Sequence, residues 1–391
     1  MIEYSIIGAG FAGLTTAFFL KNYGFDVVVY EHKENHIDKL ESGGGITIFP
    51  NGMHILRKMG VADSVVKYGS VIEKAELCDQ NGKFLAYHYM GTKEKYGEPS
   101  VAIKRKALYK IMKKKIERIG VRIIFGKKLI SLENKDESVL LHFEKNSFES
   151  SYVIGADGIR STVRKQVCPD NLNLNFANLV YFSGIINDER QIKNLNLKPK
   201  TQHITVGQDS FFAYNISSTI ASGKTSLIWF TFMKQNSAIG DKTNEYYVNE
   251  ILRIQERWQV PTQEIMNMTE VFNKANIYEM INLPNWSKSR TILIGDAAHA
   301  MSPMAGQGAC TAIEDGEMLA YLLKYDSNNA FYLFEKARRE RVKKIALNGK
   351  RSSSLSRLKL SGIGLSIRNK LYSLRQKIIP EKMYNKVYNY K

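Results

Sequence analysis

Cysteine and proline are scarce, with three and eight among 391 residues. Cys78, Cys168 and Cys310 lie far apart, form no Cys-x-x-Cys pair and are odd in number. That excludes a disulfide framework or a zinc site and reads as three packing thiols in a reducing compartment. So few prolines, with 44% hydrophobic and 24% charged residues, exclude wholesale disorder. No run of eighteen apolar residues occurs, and no basic leader or apolar signal core precedes the strand-like opening at Ile2. The expected location is therefore the cytoplasm. Internal repeats are absent as well, which excludes solenoids. What remains is a chain two to three times the usual domain length, enough for two or three units with cores of their own. Its net charge is +18. From Glu335 to Lys391 there are 17 Lys and Arg against 3 Asp and Glu, leaving 39 against 35 before that point. The basic character belongs to the tail.

The opening Ile2-Glu3-Tyr4-Ser5-Ile6-Ile7 is a short buried strand, followed by Gly8-Ala9-Gly10-Phe11-Ala12-Gly13 and the helix-periodic Leu14, Ala17, Phe18 and Leu20. After Gly24-Phe25, Val27-Val28-Val29-Tyr30 is a second strand ending at Glu31, so the first thirty residues form a parallel strand–helix–strand unit, a Rossmann beginning. Helical stretches at Asn51–Met59 and Ala107–Ile119, with strands at Val121–Phe125 and Val139–Phe143, continue an α/β layout. Three alternating, aromatic-rich runs follow: Leu179–Ile186, His203–Ile216 and Thr225–Met233. No strong helix separates them, and turn residues at Gly207-Gln208-Asp209 and Ser222-Gly223-Lys224 predict an antiparallel sheet inserted into the first unit. Rossmann character returns at Arg290–Asp296. After Ala337 the chain reads as helical and basic.

The glycine spacing has a steric meaning. Gly8 allows the tight turn, Gly10 lets a pyrophosphate approach the backbone, and Gly13 lets helix and strand pack closely. The amides and dipole at the helix start, with Phe11 and Ala12 in the turn, then hold the anion. Glu31 stands where an acid can accept hydrogen bonds from an adenosine ribose. Strand, turn, helix, strand and acid in that order indicate a dinucleotide site. Which dinucleotide stays open on this segment alone.

Two further segments carry a resemblance. Tyr152 to Arg164 contains Gly155-Ala156-Asp157-Gly158, and Arg290 to Gly316 contains Gly295-Asp296-Ala297-Ala298-His299, Pro303 and Gly306-Gln307-Gly308. With the opening, these resemble the three signature motifs of the para-hydroxybenzoate-hydroxylase-type, class A FAD-dependent monooxygenases. The stretch Gly43-Gly44-Gly45-Ile46-Thr47-Ile48-Phe49-Pro50-Asn51-Gly52 and Arg105-Lys106-Ala107-Leu108 look like the salicylate hydroxylase and zeaxanthin epoxidase branch. The resemblance spans residues 1 to about 340. It implies an α/β, glutathione-reductase-like Rossmann FAD-binding domain (1–70, 100–175 and 275–335). It also implies an inserted antiparallel β-sheet substrate domain (71–99 and 176–274) and a basic C-terminal helical region (336–391).

The same resemblance implies the cofactor site. Asp296 would bind ribityl hydroxyls of FAD. The amides of Gly306, Gln307, Gly308 and Ala309 would face the pyrimidine edge of the flavin, with Pro303 near the ring face. Gly44 and Gly45 belong to the same site, and Arg105 would approach the phosphates or ribityl chain. Asp157, with Arg164, belongs to a motif tied to FAD and more loosely to the nicotinamide donor; a plain turn with a left-handed glycine is its other reading. His299 is read as a packing ring in a small-residue turn. The implied activity is NADH- or NADPH-driven insertion of one oxygen atom from O2, through a flavin hydroperoxide, into an aromatic or polyketide-like, lipophilic small molecule. Catalysis is flavin-centred, with no catalytic residue assigned and no metal. Phe49, Tyr181, Phe211, Tyr214 and Trp229 are candidate walls of a water-excluding substrate pocket. One departure is visible: many members carry an Arg-Gly pair where this chain has Phe182-Ser183-Gly184, so a small carboxylated aromatic is not implied.

In the tail, Ile363, Ile367, Leu371, Leu374 and Ile378 recur at spacings of three and four, with Arg368, Lys370, Arg375 and Lys377 on other faces. This predicts an amphipathic basic helix, either packed on the body or touching the inner face of the membrane peripherally. Nucleic acid is not an expected partner. Two alternatives to the oxygenase stay open: a flavin-dependent reductase of isoprenoid or other double bonds, and a non-catalytic membrane-docking flavoprotein.

Overall fold

The computed structural model describes residues 3–34, 44–170, 173–207, 210–218, 224–240, 243–258, 261–269, 271–356, 370 and 385–390. A six-stranded sheet runs in the order Ser287–Lys288, Thr291–Leu293, Tyr152–Gly155, Glu3–Ile7, Asp26–Tyr30, Arg122–Ile124. Every neighbouring pair is parallel except the first. Strands paired this way are covered on both faces, which is why they are continuous apolar runs and why Ile6, Val29, Val153, Ile154 and Ile292 are fully buried. Helix Phe11–Asn22 is buried along ten successive residues because the sheet lies on one side and helix Gly308–Tyr325 on the other. The long helix Ala330–Ser356 packs on Gly308–Tyr325 in turn. Helices Pro50–Lys58 and Arg105–Arg118 fall on the two helical stretches expected.

Val139–Phe143, expected in the α/β layer, instead forms the middle of a three-stranded antiparallel sheet with Leu129–Asn134 and Ser147–Ser150. The spacing explains it. Only four residues separate the first pair of strands, whereas parallel neighbours need a crossover of a dozen or more. A second small antiparallel sheet joins Gly45–Ile48, Ser100–Lys104 and Ser70–Ile72.

The inserted sheet has seven strands, in the order Val271–Glu279, Asn175–Ile186, Thr225–Lys234, Ser210–Ser218, Thr201–Val206, Lys74–Asp79, Phe84–Tyr89. Its pairs are antiparallel apart from Thr201–Val206 with Lys74–Asp79. A short helix, Glu189–Asn194, does separate two of the runs. Asp188 starts it by accepting from the amides of Arg190 and Gln191. With Asn244–Ile254 and Thr262–Asn267 it covers one face of the sheet, where Phe182, Phe212, Trp229, Tyr247 and Ile265 build a second core. Ala75, Leu77 and Ile204, on the opposite face, pack into the first core. Of the expected turns, Gly207 donates to the Ser210 carbonyl at 2.9 Å; Gln208, Asp209, Ser222 and Gly223 lie outside the described residues, as does the tail helix from Leu360 to Ile378 apart from Lys370. Among the described residues no helix is long and apolar enough to cross a membrane.

Candidate functional site

The glycine turn joins the opening strand to helix Phe11–Asn22. Gly8 has φ +105°, and a Cβ there would lie 2.4 Å from the Ala156 carbonyl oxygen; one on Gly13 would lie 2.0 Å from the Gly8 carbonyl oxygen. Only hydrogen fits at either place. Gly10 differs: it has open space in front of it and begins the helix without any side-chain cap. Free amides at a helix start, bared toward solvent, are what an anion needs. Glu31 is fastened to this turn, accepting from the Ala9 amide at 2.8 Å through one oxygen and from the Lys33 amide at 3.0 Å through the other.

Arg105 draws the motifs together. Its amide donates to the Gly44 carbonyl at 3.1 Å, and its guanidinium carbon lies 5.1 Å from the centre of the Phe11 ring. It is close enough to act electrostatically on Asp296 and on Tyr181. Asp296 is accessible to solvent although protein atoms crowd it from all sides, as befits a side chain on the wall of a cleft. Burial pushes its carboxyl up, while His299 and Arg105 pull it back. Pro303 and Gly306 are exposed on the following loop, where Gly306 has φ +65°. Helix Gly308–Tyr325 starts just beyond, with Ala309 in its first turn. An open glycine turn, a crowded yet accessible carboxylate and a second bare helix start fit the pyrophosphate, ribityl and flavin parts of FAD.

Gln307 is turned inward, accepting from the Asn51 Nδ2 at 2.9 Å, so the loop offers its backbone and not this side chain. Behind it lies a network that the sequence reading missed. Glu314 and Asp315 are fully buried. Glu314 accepts from Asn51 at 2.7 Å and from Arg338 and Arg341 at 2.6 Å. Asp315 accepts from the Gly295 amide at 2.8 Å and from Arg338 at 2.6 Å, and pairs with His299 Nε2 at 2.6 Å. Burial pushes both carboxyls up, but Arg338 with Arg341 for Glu314, and His299 with Arg338 for Asp315, outweigh it and hold both below their ordinary values. His299 is 1% exposed, its ring 5.0 Å from that of Trp286. It is a tie within the core.

Asp157 is occupied locally. One oxygen accepts from the Thr162 and Val163 amides at 2.7 and 3.1 Å, starting helix Val163–Val167, and the other is buried without a partner. Burial pushes this carboxyl up. Arg164 donates to the carbonyls of Ala297 and Ile159. The Asp-Gly motif thus ties the strand before it to the Asp296 loop.

The aromatic candidates separate by face. Strand register sets Tyr181, Phe232 and Phe211 directly opposite one another in a row, followed by Ser183, Phe230 and Ala213, then Ile185, Ile228 and Asn215. Ile228 touches Gly45, and the Ser183 and Tyr181 hydroxyls lie over Gly44, so this face looks at the cofactor motifs. Ring centres from Tyr181 and Phe211 to Phe232 are 5.3 and 5.2 Å apart. Tyr214 and Trp229, expected on the same wall, pair with each other on the opposite face. There Trp229 is fully buried against Phe212 and donates to Thr269 at 2.7 Å. Phe230 and Phe232 take their places on the inner face. Phe49 lies 3.3 Å from where a Cβ on Gly306 would stand and stacks on Tyr388, with ring centres 5.4 Å apart. Residues 385–390 therefore return to the body: Arg341 donates to the carbonyls of Lys386 and Val387, and the Tyr96 hydroxyl to Asn385.

A family model described as FAD binding domain matches residues 1–341. The 6-hydroxynicotinate 3-monooxygenase of Pseudomonas fluorescens is 28% identical over 360 residues, covering 87% of this chain and 88% of its own. The solved structure of Klebsiella pneumoniae HpxO complexed with FAD and uric acid has a TM-score of 0.84 at 21% identity, covering 100% of this chain and 96% of that one. A salicylate hydroxylase substrate complex has a TM-score of 0.80 at 18% identity, covering 100% and 96%. The two structures share the fold.

Proposed function

The chain belongs to the FAD binding domain family, and from that premise we propose that it is an FAD-dependent monooxygenase, driven by NADH or NADPH, that adds one oxygen atom of O2 to an aromatic or other lipophilic small molecule. One observation carries the reading: the inner, aromatic rows of the inserted sheet face the place where Phe11, Gly44, Arg105 and Asp296 meet.

FAD, when bound, supplies hydride acceptance and the activation of dioxygen. The protein holds and shields it. The turn from Gly8 to Gly13 would bind the pyrophosphate with Arg105 beside it, Glu31 the adenosine ribose, and Asp296 the ribityl hydroxyls. Amides from Gly306 to Ala309 would stabilise negative charge on the pyrimidine edge, with Pro303 against the ring face. Phe211, Phe230 and Phe232 keep water from the reacting atoms. Burial pushes the Tyr181 phenol up, so at neutral pH it keeps its proton and acts as a donor. The FAD-binding and substrate halves are assigned to the ranges expected above, with the later boundary moved to residue 279, where the last strand of the inserted sheet ends. For the tail, the reading of peripheral contact with an anionic membrane is supported by its charge, nine basic against one acidic residue after position 356. Co-sedimentation with anionic liposomes that survives removal of residues 357–384 would exclude that contact.

The decisive assay loads the protein with FAD and screens aromatics for stimulated NADH or NADPH oxidation, with product mass read for a gain of one oxygen. Stimulation without that gain overturns the oxygenase.

A further inference from the structure

We propose that the substrate presents a neutral oxygen acceptor, a ketone, lactam or phenol, in place of a carboxylate, and that Ser183 is the residue that selects it. This rests on the monooxygenase reading and names its substrate class.

The first observation is charge. None of the nine residues in the three inner rows of the sheet is ionised at neutral pH. A carboxylate lying on such a wall gives up its hydration without meeting a cation. Arg105, which acts on Tyr181 at one end of this wall, lies over Phe11 and is offset by Asp296, and Lys104 donates to Asn187 at 2.9 Å, so neither is a free counter-ion for a carboxylate on the rows.

The second observation is a pair of buried donors lacking acceptors, on Ser183 and Asn273, with the Tyr181 phenol close enough to Ser183 to interact with it. Ser183 is fully buried and its Oγ has no hydrogen-bond partner. It lies 2.8 Å from where a Cβ on Gly44 would stand, and the Tyr181 hydroxyl lies 3.8 Å from the same point. Asn273 pairs with Ser183 across the neighbouring strand, and its Nδ2 is buried without a partner. Buried polar atoms of a folded protein are nearly all satisfied, so adjacent exceptions on one face mark where a ligand atom completes the set. All three can donate. An uncharged oxygen accepts from them without importing a charge, and a ligand lacking that oxygen leaves them unmet.

The FAD-loaded protein is titrated by calorimetry, without NADH or NADPH, with two matched pairs: 4-hydroxyacetophenone against 4-hydroxybenzoate, and 1-naphthol against 1-hydroxy-2-naphthoate. In each pair the neutral member binds at least tenfold more tightly. Ser183→Ala weakens the neutral members by roughly 5- to 30-fold while the carboxylates move less than threefold, so the preference collapses. Equal or tighter binding of the carboxylates, no binding by any of the four, or an unchanged preference in Ser183→Ala overturns the proposal. Binding is read apart from turnover. A neutral preference with no oxygenated product sinks the oxygenase alone, and an oxygenated carboxylate sinks the substrate class alone.

Discussion

Replacing Arg338 by methionine keeps most of the side chain's stem but strips the positive charge from a fully buried network. Arg338 reaches Asp315, Glu314 and the Thr311 carbonyl at 2.6, 2.6 and 3.1 Å. Glu314 retains Arg341, whereas Asp315 is left with the Gly295 amide and His299. Breaking a buried pair from one side costs about 3–5 kcal/mol. A second bound comes from the proton: the stranded carboxyl can neutralise itself, and from its ordinary value of 3.8 this costs about 4 kcal/mol at pH 7 and about 2 kcal/mol at pH 5.5. The wild-type carboxyls are held below their ordinary values, so their stabilisation is complete above about pH 5 and is lost as pH falls through the lower, folded values. In the variant the sign reverses, because burial, the largest influence on Asp315, then outweighs His299 and the Gly295 amide, and the raised carboxyl loses stability as pH climbs. The difference between the proteins should therefore be about 3–4 kcal/mol at pH 7 and shrink to about 2 kcal/mol at pH 5.5. Urea unfolding followed by circular dichroism at several pH values measures it. A difference below about 1 kcal/mol, or one that does not change with pH, refutes the account of the network.

Other substitutions separate cofactor, pocket and scaffold. Asp296→Asn should act with opposite signs: an acid raised on folding destabilises the ionised, FAD-free protein above pH 4, so the amide melts no lower, while FAD affinity falls roughly 10- to 100-fold; parallel changes would contradict this. Gly13→Ala drives a Cβ into the Gly8 carbonyl and should cost about 1–3 kcal/mol. Gly10→Ala meets open space, so it should leave the melting temperature alone and weaken FAD. Trp229→Ala should cost about 3–5 kcal/mol of stability, while half-buried Phe230→Ala should chiefly raise the KM and the peroxide released per NADH consumed. Tyr388→Ala removes the ring under Phe49 and should speed FAD dissociation, seen as faster recovery of flavin fluorescence on dilution.

Much of the fold was legible because its signals are local. Strand, glycine turn, helix and acid sit within thirty residues, and the apolar runs at Tyr152–Gly155 and Thr291–Leu293 announce parallel strands on their own. The pocket wall was half legible, and the error has a simple cause. Phe211 and Tyr214 are three residues apart on one strand, an odd separation that puts them on opposite faces, so both cannot line one pocket. Choosing between the faces needs the register across strands, which comes from packing. Gly184 holds a clue, since a Cβ there would lie 2.4 Å from the Trp229 indole nitrogen and the small residue makes room for the ring on the helix-covered side. The buried ion network was invisible for another reason. Arg338 and Arg341 were counted in the basic tail, and nothing in linear order tells a solvated arginine from one sealed against Glu314 and Asp315. Only the acid pair within the apolar stretch of Gly308–Tyr325 hinted at it.

The order of strands in the six-stranded sheet also sets a timetable for synthesis. The first strand made, Glu3–Ile7, takes an interior position, beside one partner emerging by residue 30 and another only at residues 152–155, whose own neighbour follows at 291–293. At translation speeds of roughly 5–20 residues per second, between about 7 and 28 seconds separate the synthesis of Tyr152–Gly155 from that of its neighbour Thr291–Leu293. Through that interval a greasy sheet margin containing Val153 and Ile154 stands unzipped, so yield in a host cell should depend on chaperones that shelter nascent chains more than on the resilience of the finished molecule.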